Sequence, residues 1–301
     1  MNTEHRRSRK HVLDWIGCAS FRNTLNDLLG PSGVTVDSQD IHRPVGHGDG
    51  FEFELLDFCW CFRPRWKVHE CLRSWWLPSS PLNKNARTPV WDLISTCTML
   101  GRQGLLLVEA KMHEGELDWK GKHLQANASE QSKINHDHIR TAVANVSHRL
   151  TKVSGAKVAL DVESHYQLAN RVAWAAFLAN KGIPVALLYL GFTGDSTIPL
   201  FLRDDAHWQR LMGAYMIGKL PLGLPGKLVN FPGGGAFTFL IRSRPVLAIT
   251  PNGHQRKTLC GPHRGELAPS PAEQRAAEHA RPGNSRAAQA TADRLQTNVT
   301  S

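Results

Sequence analysis

Nine residues near the middle of the chain constrain its fold more than any others: Gly104-Leu105-Leu106-Leu107-Val108-Glu109-Ala110-Lys111-Met112. A short continuous apolar run marks a strand buried on both faces inside a sheet, where an edge strand would alternate. Two charges interrupt it. Residues two apart on a strand share a face, so Glu109 and Lys111 leave the same side of an otherwise apolar element. Burying a carboxylate and an ammonium there is costly unless they pair or bind something. The bland alternative is a strand end with a solvated Glu–Lys pair.

Gly101-Arg102-Gln103-Gly104 reads as a turn before this strand, and Thr88 to Thr98 as the preceding strand, entered through Arg87-Thr88-Pro89. A hairpin joining the two brings Asp92 beside Glu109. Adjacent carboxylates repel, and a divalent cation relieves that repulsion with hard oxygen ligands, Mg²⁺ or Mn²⁺ being the natural choice. Lys111 then stands where an ammonium can polarise a phosphate or help activate water.

Residues 87 to 113, Arg-Thr-Pro-Val-Trp-Asp-Leu-Ile-Ser followed by Gly-Leu-Leu-Leu-Val-Glu-Ala-Lys-Met-His, resemble the PD-(D/E)XK nuclease superfamily. The resemblance covers roughly 87 to 192, a third of the chain. It implies a restriction-endonuclease-like α/β fold with an αβββαβ core, Mg²⁺-dependent phosphodiester hydrolysis, and Asp92, Glu109 and Lys111 as first acid, second acid and lysine. Pro89 stands three residues before the acid, since Val90 and Trp91 intervene; the proline is not a ligand. Many members place a Gln near the metal or phosphate from the helix after the core hairpin, and Gln167 looks like that residue. The other reading of Gln167 is a polar helix face shared with Asn170 and Arg171 at i+3 and i+4. A further metal ligand often comes from an early helix in such nucleases. Glu52 and Glu54 are candidates, Glu54 foremost, although Phe51-Glu52-Phe53-Glu54 also suits a strand with both acids in solvent.

Around this core, residues 1–85 read as a helix-rich, tryptophan-rich lead-in packed on it, with an amphipathic helix between Val12 and Leu29. Residues 86–250 alternate strands and helices, the mark of an α/β layer architecture with a mixed sheet. Helices are expected over 127–150, over 163–180, and from the capping pair Asp204-Asp205 to about Ile217. Strands are expected over Pro184–Phe192 and, after Gly233-Gly234-Gly235, over Ala236–Ile241 and Val246–Thr250. From Pro251 on, Ala, Arg, Pro, Gln, Ser and Thr dominate, and such a tail is expected to be disordered.

The formal net charge is +10. Only three of those charges belong to the tail, with seven Lys/Arg against four Asp/Glu from Pro251 onward. A basic body favours nucleic acid as partner, and the nuclease resemblance puts DNA ahead of RNA. No apolar h-region follows the basic N-terminus, and the longest apolar stretch, Val172 to Phe192, is cut by Asn180-Lys181-Gly182 and Pro184. No membrane span is expected, and six unframed cysteines suit a reducing cytoplasm. Cys59, Cys61, His69 and Cys71 form a compact group, yet their Cys-x-Cys and His-x-Cys spacings are not those of zinc knuckles. His113, two residues past Lys111 on the same face, is the one histidine near the site. His136 and His138 face apart on a helix. The competing function is a catalytically inactive nucleic-acid-binding or scaffold protein with the same fold. Oligomeric state is not encoded in any recognisable pattern.

Overall fold

The structure, a computed structural model, describes residues 8–49, 53–62, 69–78 and 87–246. The tail from 251 and the side chains of Glu52, Cys61 and His69 lie outside the described residues.

The chain begins with α1 (Ser8–Ile16) and α2 (Phe21–Leu29). These replace the single helix expected over Val12 to Leu29, because Gly17 to Ser20 form a turn between them. Short strands β1 (Val34–Thr35) and β2 (His42–Arg43) follow, then β3 (Phe53–Glu54), α3 (Leu55–Phe62) and α4 (His69–Trp76). The expected strand Thr88 to Thr98 is broken at Asp92 into β4 (Val90–Trp91) and β5 (Leu93–Met99). Next come β6 (Arg102–Lys111), α5 (Glu130–Ser154), α6 (Tyr166–Asn180), β7 (Val185–Thr193), α7 (Asp205–Met216), β8 (Leu228–Asn230) and β9 (Ala236–Pro245).

Seven strands form one mixed sheet in the order β1-β5-β6-β7-β9-β8, with β2 also on β5. β5 and β6 are an antiparallel hairpin, and β6–β7 and β7–β9 are parallel. The parallel joins require long crossovers, supplied by α5 and α6 for the first and α7 for the second. Of the late strand or hairpin expected after the three glycines, Ala236–Ile241 lies in β9, and residues 247 to 250 lie outside the described residues. β9 runs unbroken through Ala236–Pro245, and its antiparallel partner β8 lies before the three glycines. The lead-in is part of the sheet as well as a cover for it, since β1 and β2 hydrogen-bond to β5. Two-residue strands are too short to show a period-2 pattern, so composition alone hides them.

Both faces of the sheet are buried. Leu105, Leu107, Val185, Leu187, Tyr189, Phe237 and Phe239 pack under residues of α3 to α7. Leu106, Val108, Ala110, Ala186, Leu188 and Leu190 pack under α1 and α2. Gly104 opens β6 because β7 enters beside it: a Cβ there would sit 2.5 Å from the Pro184 carbonyl oxygen, which accepts a hydrogen bond from the Leu105 amide at 2.9 Å. Among the described residues no helix is long and apolar enough to cross a membrane.

Candidate active site

The C-terminal end of β6 is the centre of the site. Leu93 pairs with Val108, so the next step of the antiparallel register sets Asp92 opposite Glu109. Asp92 leaves the ladder there: its Oδ2 accepts a hydrogen bond from the Ala110 amide at 2.8 Å. The side chain thus replaces a strand-to-strand bond, which is why the strand bends at this residue. Glu109 and Lys111 are 3% and 4% exposed, and the Lys111 ammonium donates to Glu109 Oε1 at 2.5 Å. The solvated strand end is thereby replaced by a buried pair.

A second cation completes the arrangement. Arg171, on α6, donates through Nε to Glu109 Oε2 at 2.5 Å. Its guanidinium lies 4.6 Å from the centre of the Trp91 ring, a cation–π contact that shields it from water. Arg171 Nη1 donates to Asn170 Oδ1 at 3.3 Å, and Asn170 Nδ2 donates to the Tyr166 hydroxyl at 3.3 Å. Burial alone would raise the Glu109 carboxyl, but Arg171 and then Lys111 outweigh it and hold Glu109 below the usual carboxylate range. Asp92 goes the other way. Burial, and then repulsion from Glu109, push its carboxyl up to about 7. The two acids therefore have opposite environments, an asymmetry that often marks functional sites.

Of the residues read from sequence, the structure brings Asp92, Glu109 and Lys111 together. Gln167 lies one helical turn before Arg171 on the same face of α6, and its Oε1 is buried without a hydrogen-bond partner among the described residues. Glu54 is held elsewhere: its Oε2 accepts from the Thr88 amide at 3.0 Å and the Thr88 hydroxyl at 2.7 Å. Its position on β3, paired with β4, makes it a brace for the strand that leads to Asp92. Among the described residues no three of His, Cys, Asp and Glu form a group that could hold a metal, so Glu54 does not join the other two acids. His113 Nε2 stands 3.9 Å from Glu116. His136 meets the Lys122 carbonyl at 2.7 Å, and His138 meets those of Ser74 and Trp75 at 3.1 Å, which gives both a structural task. Cys59 is buried, and burial pushes its thiol up to about 12, the state of an inert hydrophobe.

Sequence reasoning placed Arg171 on the right helix face without pairing it. The available signal was a lone arginine in Val172-Ala173-Trp174-Ala175-Ala176 surroundings. Tyr189 gave none, lying inside an apolar run. It neighbours Glu109 across the parallel register, and its hydroxyl is buried without a partner among the described residues. Breaking the Arg171 contact should be costly, because it leaves Glu109 with one counter-charge in the interior. Arg171→Met is expected to destabilise the protein by about 3 kcal/mol, lowering the melting temperature by about 10 °C. A calorimetric melt within a degree of wild type would refute this.

Comparison of the chain with protein-family models, curated proteins and solved structures gave no match. The fold and site together define a mixed α/β protein whose central strand ends in a buried cluster of two carboxylates and two cations.

Proposed function

We propose that the chain is a divalent-metal-dependent nuclease that hydrolyses phosphodiester bonds in DNA, with RNA as the second choice, built on a restriction-endonuclease-like core. One observation carries this reading: Asp92 faces Glu109 across the hairpin, and Lys111 pairs with Glu109 from two residues further along the same face. With β2 to β4 and α3 to α5 set aside as additions, α2, β1, β5, β6, α6 and β7 are compatible with the αβββαβ order.

Two carboxylates in mutual repulsion are a hard-oxygen donor set suited to Mg²⁺ or Mn²⁺, and Mg²⁺ commonly binds through one or two carboxylates with water completing its shell. When bound, the ion supplies Lewis-acid polarisation of a phosphoryl oxygen. The chain's own residues do the rest. Asp92 and Glu109 would hold the cation. Arg171 and Trp91 fix the Glu109 rotamer, and Lys111 places a positive charge beside the phosphate as negative charge grows on it.

A catalytically inactive nucleic-acid-binding or scaffold protein is the second reading. It is favoured by the engagement of both Glu109 oxygens, one by Lys111 and one by Arg171, since a cation has to displace one of them. Incubation of the purified protein with plasmid and single-stranded DNA, in Mg²⁺ and in EDTA, decides between the two. Cleavage that requires the metal supports the first, and intact DNA in both buffers leaves the second.

A further inference from the structure

A second surface lies near the N-terminal end of α6, beyond the buried cluster. Trp119 is large, apolar and 45% exposed, yet it is held in place. Its ring centre lies 5.1 Å from those of both His165 and Tyr215, in edge-on contacts. The loop that carries it is stitched to the residues before α6: the His165 amide donates to the Trp119 carbonyl at 3.1 Å, Tyr166 to Lys120 at 3.0 Å, and Lys122 to Val162 at 2.7 Å. Gly121 is required by this closeness, since a Cβ there would fall 2.0 Å from the Glu163 carbonyl oxygen. His165 has a left-handed backbone, φ 51°, rare and strained for a residue with a side chain. Both its ring nitrogens are buried without a hydrogen-bond partner among the described residues. Strain and unmet hydrogen bonding at one residue, beneath a fixed exposed indole, are costs that folding alone does not require.

The charges around the indole are mixed. Lys120 is exposed, and the Lys122 ammonium stands 5.2 Å from the centre of the Tyr166 ring. Neither lysine pairs with a carboxylate among the described residues. Of the nearby acids, Asp161 is taken by Lys219, and Asp118 and Glu163 accept hydrogen bonds from backbone amides. From Tyr166 the hydrogen-bonded line Asn170, Arg171, Glu109 leads directly into the cluster. A fixed aromatic ring flanked by lysines that pair with no carboxylate matches the chemistry of an unpaired nucleic-acid strand: a base stacks on the ring and phosphates lie on the ammoniums. A duplex hides its base faces and cannot use such a ring.

We propose that Trp119, with Lys120 and Lys122, binds single-stranded DNA by stacking one base and holding the adjacent phosphates, on the approach to Asp92 and Glu109. The delivery of that strand for cleavage rests on the nuclease reading; the binding does not. Fluorescence anisotropy of labelled oligo(dT) of about 10 nucleotides, in EDTA so that nothing is cut, tests the binding. Trp119→Ala should weaken it by about 10-fold or more, and Trp119→Phe by clearly less, because stacking is retained. A blunt duplex of equal length should bind both variants as it binds wild type. The Lys120→Gln, Lys122→Gln pair should reduce the slope of log Kd against log salt by about two phosphate contacts. Lys120 is exposed, so Lys120→Gln alone, with a slope lower by about one phosphate contact, serves if Trp119→Ala or the pair lowers the melting temperature. Unchanged oligo(dT) affinity in Trp119→Ala with an unchanged salt slope in the lysine pair overturns the proposal. Equal losses on duplex, or tighter Trp119-dependent binding of oligo(U), overturn the assignment to single-stranded DNA. Trp119-dependent binding without any Mg²⁺-dependent cleavage defeats the nuclease reading and leaves this surface standing. Cleavage with Trp119-independent binding does the reverse.

Discussion

Lys111→Ala should lower Mg²⁺-dependent cleavage by at least ~10²-fold, the scale on which a positioned charge stabiliser acts. The fold should survive, because Glu109 keeps Arg171 as counter-ion, but losing the second buried counter-charge should lower the melting temperature, as for Arg171→Met. The measurement is a single-turnover rate on plasmid beside a melting curve of the same preparation. A variant that melts as wild type and cuts at the wild-type rate removes Lys111 from the site, and with it the meaning given to the Glu-Ala-Lys run. A variant that cuts slowly only because it has unfolded is recognised from the melt, and Lys111→Met, which refills the volume, then carries the test.

The second large effect concerns Asp92 and has a defined pH dependence. Its carboxyl is raised in the fold from an ordinary value to about 7, by burial first and by Glu109 second. A group raised on folding favours the native state at pH below its unfolded value, and this contribution is lost as pH rises through the folded value. In EDTA the wild type should therefore lose stability between about pH 4 and pH 7, on the order of 3 kcal/mol for a shift of this size. Asp92→Asn, which can still accept from the Ala110 amide, should not show that loss. At pH 8 it should melt several degrees above wild type, and near pH 4 the two should converge. Mg²⁺ should reverse the order. Binding to the native state alone stabilises by RT ln(1 + [L]/Kd), about 2.7 kcal/mol at a hundredfold excess over Kd, and only wild type keeps both carboxylates. Melts at two pH values, with EDTA and with millimolar Mg²⁺, contain the whole test. A wild type indifferent to metal, with Asp92→Asn less stable in every buffer, makes Asp92 a structural brace.

Much of the core was legible because its signals are local. The apolar run of β6, the i and i+2 placement of Glu109 and Lys111, the cap of α7 and the buried run of β7 each follow from neighbours in sequence, whereas the Ser129 cap of α5 was not read. Helix α5 starts at the Ser129 cap, whose side chain accepts from the Ser132 amide, and α7 at Asp204, which accepts from the His207 amide. What stayed hidden depends on distant partners. Arg171 meets Glu109 across 62 residues, and no periodicity reports such a pairing. Glu54 is drawn to Thr88 by a strand pair only two residues long. The break at Asp92 was invisible because it arises from the side chain capturing the Ala110 amide, a competition between side chain and ladder that propensity does not weigh. Trp119 was passed over because an isolated tryptophan in a polar loop has no pattern; its meaning comes from His165 and Tyr215.

The position of β6 in the sheet also governs how the site can be lost. The strand is hydrogen-bonded to β5 on one edge and β7 on the other, and its faces lie under helices from both ends of the described chain. Amides in such a place exchange with solvent through opening of the whole cooperative unit rather than local fraying. The Glu109 and Lys111 amides should thus be among the slowest to take up deuterium. The buried pair of Glu109 and Lys111 sits on one of the last parts of the described chain to open, and its loss should require unfolding of the whole sheet.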